Sequence, residues 1–426
     1  MIFTFFINIK DRDSNEVAKH FLIDYCMLFG TFVFSMSKSK IILPIIIISQ
    51  FCCTSLWFAG NGVMSDLITN YNLEEGASSH ITSAVQFGFI IGTLLFALFT
   101  IADRFSPSKV FFVSALFGAI FNVSLIIENQ TLFSLICLRF FTGFFLAGIY
   151  PVGMKIATDY FDKGIGKSLG FLVGALVLGT ALPHLLKDFL HDYSWKNILI
   201  SISILASFGG FMMLVFVPNG PFRKAGTKLD ITICFSIFKN KNFRKPAFGY
   251  FGHMWELYTF WVFVPILLKT YANLHSDVVF NIPLLSFIII GIGSLSCVLA
   301  GYLAEKFGAQ KIAFYALLLS GFCCLISPFI FSIDNQIIFI GFLLLWGMFV
   351  IADSPLFSTL VAKNAPSKDK GTALTIVNSI GFAITIISIQ IISYLQENFN
   401  SNYIFMVLAI GPIIGLFSFS KQKNLN

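Results

Sequence analysis

Charged residues are scarce in this chain: they fill 12% of its 426 positions, about half the share of an average soluble protein. That is too little charge to clothe a water-soluble surface of this size, so lipid must cover much of the molecule. No G-x-x-x-x-G-K-[ST] loop occurs, which removes ATP as the energy source. No H-E-x-x-H occurs and the six histidines are scattered, which argues against a polytopic membrane enzyme. The cysteines (Cys26, Cys52, Cys53, Cys137, Cys234, Cys297, Cys323 and Cys324) form no C-x-x-C and have no His or Asp companions. They read as small apolar packing residues; no disulfide framework, metal or cofactor is expected. A sizeable soluble domain, the mark of a membrane sensor, is also missing.

What is present is hydrophobic: 57% of the residues, with a mean hydropathy of +0.84 and 53 Phe. A bilayer core takes roughly 20 apolar residues of helix to cross. Twelve segments meet or nearly meet that length. They start near Ile41, His80, Val110, Thr131, Leu169 and Ile198, then near Ala247, Val279, Ile312, Ile337, Ala373 and Tyr403. The expected class is an all-α membrane protein.

The connections alternate sharply in charge. Counted from Met36 with the N-terminus in the cytoplasm, the inward segments carry 20 Lys and Arg, from Lys38 to Lys423. The outward segments carry only Lys187, Lys196 and Lys269. That bias puts both termini and the long middle loop on the cytoplasmic side of a bacterial inner membrane, and the basic residues serve orientation rather than nucleic acid. Residues 1–35 fit this plan poorly: they lack a signal-peptide cleavage site, and their apolar patch from Phe21 to Phe34 is short for a span. Met36-Ser-Lys-Ser-Lys is a short basic lead into a first helix, so translation is expected to start at Met36; the rival is an amphipathic arm on the membrane.

Repeats stand out next. Asp103-Arg104-Phe105 with Lys109 after span 2 matches Glu305-Lys306-Phe307 with Lys311 after span 8. Gly143, Gly148 and Pro151 of span 4 match Gly347, Ala352 and Pro355 of span 10. The chain therefore divides into an extension (1–40), a six-helix half (41–218), a basic linker (219–246), a second half (247–420) and a tail (421–426). Duplicated halves place a substrate site near mid-membrane between them, open to each side in turn as one half rocks against the other.

From about Ile41 to Ser420 these motifs resemble the major facilitator superfamily. Its loop signature, Gly then Asp-Arg-x-Gly-Arg-Arg, is matched by Gly92, Asp103 and Arg104, although Ser106 stands where Gly is usual and only Lys109 remains of the basic pair. The second copy keeps Gly308, and Arg139 with Gly143 is similar to the family's Arg-x-x-x-Gly motif. Span 5 lacks the Gly-Pro pair of drug/proton antiporters, and the nitrate-porter pattern is missing. Gly148–Ile156 (GIYPVGMKI) is similar to facilitators grouped with cyanate-type permeases. The resemblance implies a gate: Asp103, Arg104, Lys109, Glu305, Lys306 and Lys311 lock the halves together on the cytoplasmic side. The same basic residues also enforce orientation.

Ionisable groups inside spans are costly and mark function by default. Arg139 and Glu256 fall near mid-membrane in opposite halves. Arg139 either holds an anionic solute or tunes a carboxylate, and Glu256 takes the proton; a structural ion pair is the alternative. His253, one turn before Glu256, either relays a proton or bonds within a packed face. Asp353 is a second proton site or satisfies the helix break at Ser354-Pro355. His184 reads as interfacial. Among polar groups in the spans, Trp57, Asn61 and Tyr150 are expected at the solute pocket, whereas Gln86 and Asn378 read as helix–helix bonds. The function expected is proton-coupled uptake of a small solute, with small organic and inorganic anions among the candidates, by a monomer; efflux of lipophilic or cationic compounds is the rival.

Overall fold

The computed structural model describes residues 38–74, 76–161, 165–223, 236–366, 370–399 and 401–420. The extension before Lys38, most of the joining linker and the tail lie outside the described residues, as do the expectations attached to them, the start at Met36 included. Described residues from Ile46 onward belong to one compact unit; of the residues before it, the described ones open the first helix.

Twelve helical spans are present, and no strand occurs among the described residues. Span 1 is α1 (Lys38–Thr54), α2 (Ala59–Gly62) and α3 (Met64–Asn70); span 2 is α4 (Ala77–Leu98). The short α5 (Ile101–Arg104) leads to span 3, α6 (Pro107–Val123). Span 4 is α7 (Leu132–Leu146) and α8 (Tyr150–Tyr160); spans 5 and 6 are α9 (Ile165–Phe189) and α10 (Trp195–Phe216). Spans 7 to 9 are α11 (Lys241–Leu274), α12 (Ile282–Phe307) and α13 (Ala309–Phe331). Span 10 is α14 (Gln336–Ala352) and α15 (Ser354–Asn364), span 11 is α16 (Lys370–Asn398), and span 12 is a 3₁₀ turn (Ile404–Ala409) running into α17 (Ile410–Ser420). Ten spans are long and apolar enough to cross a membrane, and spans 1 and 12 supply shorter apolar helices. Phe133, Phe329 and Phe417 stand exposed on the outside of the bundle, as apolar helices bathed in lipid require.

Span 7 starts earlier than its apolar run, at Lys241 rather than near Ala247. Asn240 caps it by accepting from the Asn242 N–H, and the Lys and Arg that follow are good helix formers. Span 1 departs further from expectation. The 17 residues of α1 reach about 25 Å, short of the roughly 30 Å hydrocarbon core. The chain breaks at Ser55–Phe58 and resumes as α2.

The internal repeat is visible in how helices cross. Span 2 packs on span 4, and span 8 on span 10. At the first crossing a side chain on Gly143 would overlap the Val85 carbonyl; at the second, one on Gly347 would overlap the Ile289 carbonyl. Residue 289 stands as far from 85 as 347 does from 143. Both crossing helices also break at matched places, span 4 before Tyr150 and span 10 at Asp353. The turns after spans 2 and 8 differ, in contrast. Gly308 takes the left-handed region at φ 91°, whereas Ser106 is at φ −59° ahead of Pro107, and the left-handed residue there is Thr100 at φ 49°. Replacing glycine moved the tight turn toward the helix end.

Candidate functional site

The break in span 1 leaves carbonyls without helical partners at the centre of the first half, and Arg139 of α7 satisfies them. Its Nη1 and Nη2 both donate to the Leu56 carbonyl at 3.2 Å, and Nη2 donates to the Trp57 carbonyl at 2.6 Å. Nη1 also reaches Asn122 Oδ1 at 3.3 Å, and the Asn122 amide bonds Ser203 Oγ at 3.0 Å. Arg139 is fully buried, and no carboxylate pairs with it among the described residues. The negative end of the helix dipole of α1, with its free carbonyls, offsets part of that charge. Arg139 and Glu256 are thus not brought together: each is bonded inside its own half.

Arg139's clamp aims Trp57 at the seam between halves. Trp57 stacks on Tyr258 at 5.7 Å and on Phe382 at 5.6 Å, and lies 4.8 Å from Phe89. Phe89 meets Phe382 at 4.5 Å, and Phe58 meets Trp261 edge-on at 6.2 Å. The first half supplies three of these rings and the second half the other three, and every one is at most 3% exposed. Such pairs add about 0.5–1.5 kcal/mol each beyond burial. The layer is buried yet not saturated: Trp57 Nε1, Trp261 Nε1 and, three residues from Phe89, both polar atoms of Gln86 have no hydrogen-bond partner among the described residues. Beyond it, Gln390 of span 11 donates to Ser83 at 3.0 Å, and Asn281 of span 8 donates to Asp188 of span 5 at 2.6 Å, so the halves are also bonded away from the basic loops.

The second half buries His253, Glu256 and Asp353. His253 Nδ1 lies 2.7 Å from Asp353 Oδ1, both side chains 1% exposed, with Asp353 at the break between α14 and α15. His253 Nε2 and Asp353 Oδ2 have no further partner among the described residues. Glu256, one turn along, turns to other helices: it accepts from Trp346 Nε1 at 2.6 Å, Ser320 Oγ at 2.9 Å and Cys324 Sγ at 3.2 Å. His253 and Glu256 therefore do not form one unit, and span 10 rather than span 7 provides the partner of His253.

The remaining expected residues are dispersed. Asn61 donates to Thr82 at 2.9 Å, tying α2 to span 2. Tyr150 is half-buried at the start of α8. His184 is buried rather than interfacial. Of the gate group, Asp103 pairs with Lys155 of its own half at 2.8 Å, and Arg223 donates to the Asp103 and Phe105 carbonyls. Arg104, Lys109, Glu305, Lys306 and Lys311 are exposed. Among the described residues no cluster is placed to hold a metal ion. Sequence reading missed Trp261, Phe382, Trp346 and Ser320. In sequence Cys324 reads as a packing residue and Gln86 as a helix–helix bond, whereas Cys324 donates to Glu256 and both polar atoms of Gln86 lack a partner among the described residues.

Two six-helix halves meeting at a shared central layer, with buried ionisable groups on both sides of it, define a secondary transporter. The family model of the Major Facilitator Superfamily matches residues 46–389, and the chain belongs to that superfamily. No curated protein matches it by sequence. Among solved structures, the major facilitator proton:xylose symporter XylE bound to 6-bromo-6-deoxy-D-glucose is similar, with a TM-score of 0.71 at 15% identity. The match covers 90% of this chain and 96% of the symporter, and at that identity it is a likeness of fold.

Proposed function

We propose that this chain takes up a small, uncharged polar solute together with protons across a bacterial inner membrane, as a monomer whose basic face and termini are cytoplasmic. The observation that carries the reading is the His253–Asp353 pair, 2.7 Å apart and 1% exposed. A histidine and a carboxylate in contact make a unit that can hold or release a proton, and such groups within membrane spans commonly serve proton movement. Glu256 is the second candidate carrier. The Lys and Arg bias of the loops supports the orientation.

The solute is read as uncharged because the one cation expected to meet an anion, Arg139, is taken up by carbonyls of Leu56 and Trp57. Ring faces with the unpaired donors of Trp57 and Gln86 suit a hydroxylated solute, and Tyr150, half-buried at the start of α8, is kept as a third candidate. The halves 41–218 and 247–420 act as the rocking units, joined by 219–246.

The test is transport in proteoliposomes under an imposed pH gradient, with solutes chosen by thermal stabilisation from a panel of sugars, polyols, anions and lipophilic cations. Asp353→Asn should keep solute exchange and lose gradient-driven accumulation; accumulation equal to the parent's would refute the proton assignment. Efflux of lipophilic cations is the second reading, favoured by the attraction of cations to ring faces. It takes over if only those cations stabilise the protein.

A further inference from the structure

We propose that a cavity at the basic face, between the ends of spans 7, 9, 10 and 12, binds the phosphodiester of an anionic lipid headgroup. The cavity measures about 160 Å³, and Asn242, Lys245, Gln310 and Asn364 line it with Pro246 and Phe419. Lys245 makes no side-chain hydrogen bond or ion pair among the described residues, and the same holds for the side-chain amides of Asn242 and Gln310. Asn364 uses its Nδ2 on the Leu360 carbonyl at 2.8 Å. The cavity is held open by a backbone tie: Ser418 Oγ of span 12 donates to the Lys245 carbonyl at 3.1 Å.

One ammonium and several amide N–H groups, with no carboxylate among the lining residues, is a donor set for a phosphate oxygen cluster. The surrounding charge agrees. Lys241 and Arg244 flank Lys245, Lys311 follows Gln310, and Lys363 precedes Asn364, all exposed. Two features favour a lipid over a soluble phosphate. The cavity lies at the ends of four apolar spans, and its other wall is Pro246 and Phe419, the latter on a helix whose opposite side carries the exposed Phe417. Basic pockets between membrane helices are where anionic headgroups dock. The inference is independent of which solute is carried.

The experiment titrates phosphatidylglycerol, phosphatidylcholine and inorganic phosphate into the detergent-purified full chain and reads thermal stability. Phosphatidylglycerol should raise Tm, with half-saturation shifted about fivefold in Lys245→Gln and unmoved in Lys239→Gln, which removes the same charge from an exposed site outside the cavity. Asn242→Ala with Gln310→Ala, which keeps every charge, should shift it too, and serves if Lys245→Gln fails to fold. Parent-like saturation in the cavity variants overturns the proposal. An equal response to phosphatidylcholine, or to inorganic phosphate at the same concentration, overturns it as well.

Discussion

Removing the guanidinium of Arg139 separates two accounts of this protein. Arg139→Ala strips the donors from three buried acceptors: the carbonyls of Leu56 and Trp57, and Asn122 Oδ1. Each buried acceptor left unsatisfied costs about 1–3 kcal/mol, and the variant recovers part of that by no longer desolvating a cation. A net loss of about 2–4 kcal/mol is expected. Arg139→Lys keeps the charge but not the fork that serves two carbonyls at once, so it should recover less than half of the loss. The assay is thermal unfolding of detergent-purified protein, paired with thiol labelling of Cys52 and Cys53. Those thiols are 3% and 0% exposed at the end of α1, and they should react faster once the break above them loosens. Unchanged stability and unchanged labelling, with solute affinity alone reduced, would refute the clamp and return Arg139 to the role of solute ligand.

Three further outcomes are expected. Gly143→Ala and Gly347→Ala should each destabilise by about 1–3 kcal/mol in thermal unfolding, because each added methyl meets a backbone carbonyl that cannot turn aside; tolerance of either would break the symmetry argument. Trp346→Phe and Glu256→Gln should couple by about 0.5–1.5 kcal/mol in a double-mutant cycle, given their 2.6 Å hydrogen bond. Additive effects would mean the pair is incidental. Lys155→Gln should move stability by no more than about 1 kcal/mol, since its pair with Asp103 is roughly a fifth exposed on both sides; a larger drop would mean that the pair helps to hold the basic face together.

The class and span count were legible because lipid demands long apolar runs, and the repeat was legible because Gly143 and Gly347 are fixed by backbone contact rather than by side-chain choice. The break in span 1 was not. Ser55–Phe58 contains no Pro or Gly, so nothing local announces it; a residue 83 positions away, Arg139, satisfies its carbonyls. The same distance hid the aromatic layer: Trp57 reads as a solute-pocket residue, but Phe382 is one Phe among 53 until the halves are folded together. Arg139, Glu256, His253 and Asp353 were found one by one through their cost in a membrane. Their partners were not, because Trp346 and Ser320 look ordinary in sequence.

The polar contacts of the buried ionisable groups close within single halves: Arg139 on the carbonyls beside it, Glu256 on spans 9 and 10, His253 beside Asp353. What the halves share at mid-depth is a sheet of carbon rings. At mid-depth the buried ionisable groups of one half are then independent of the other, and the sliding surface there is lubricated by contacts that lack strict directional demands. Switching need not strip an ion of its partner in a low-dielectric medium, so the barrier to motion is set by ring packing instead of charge separation.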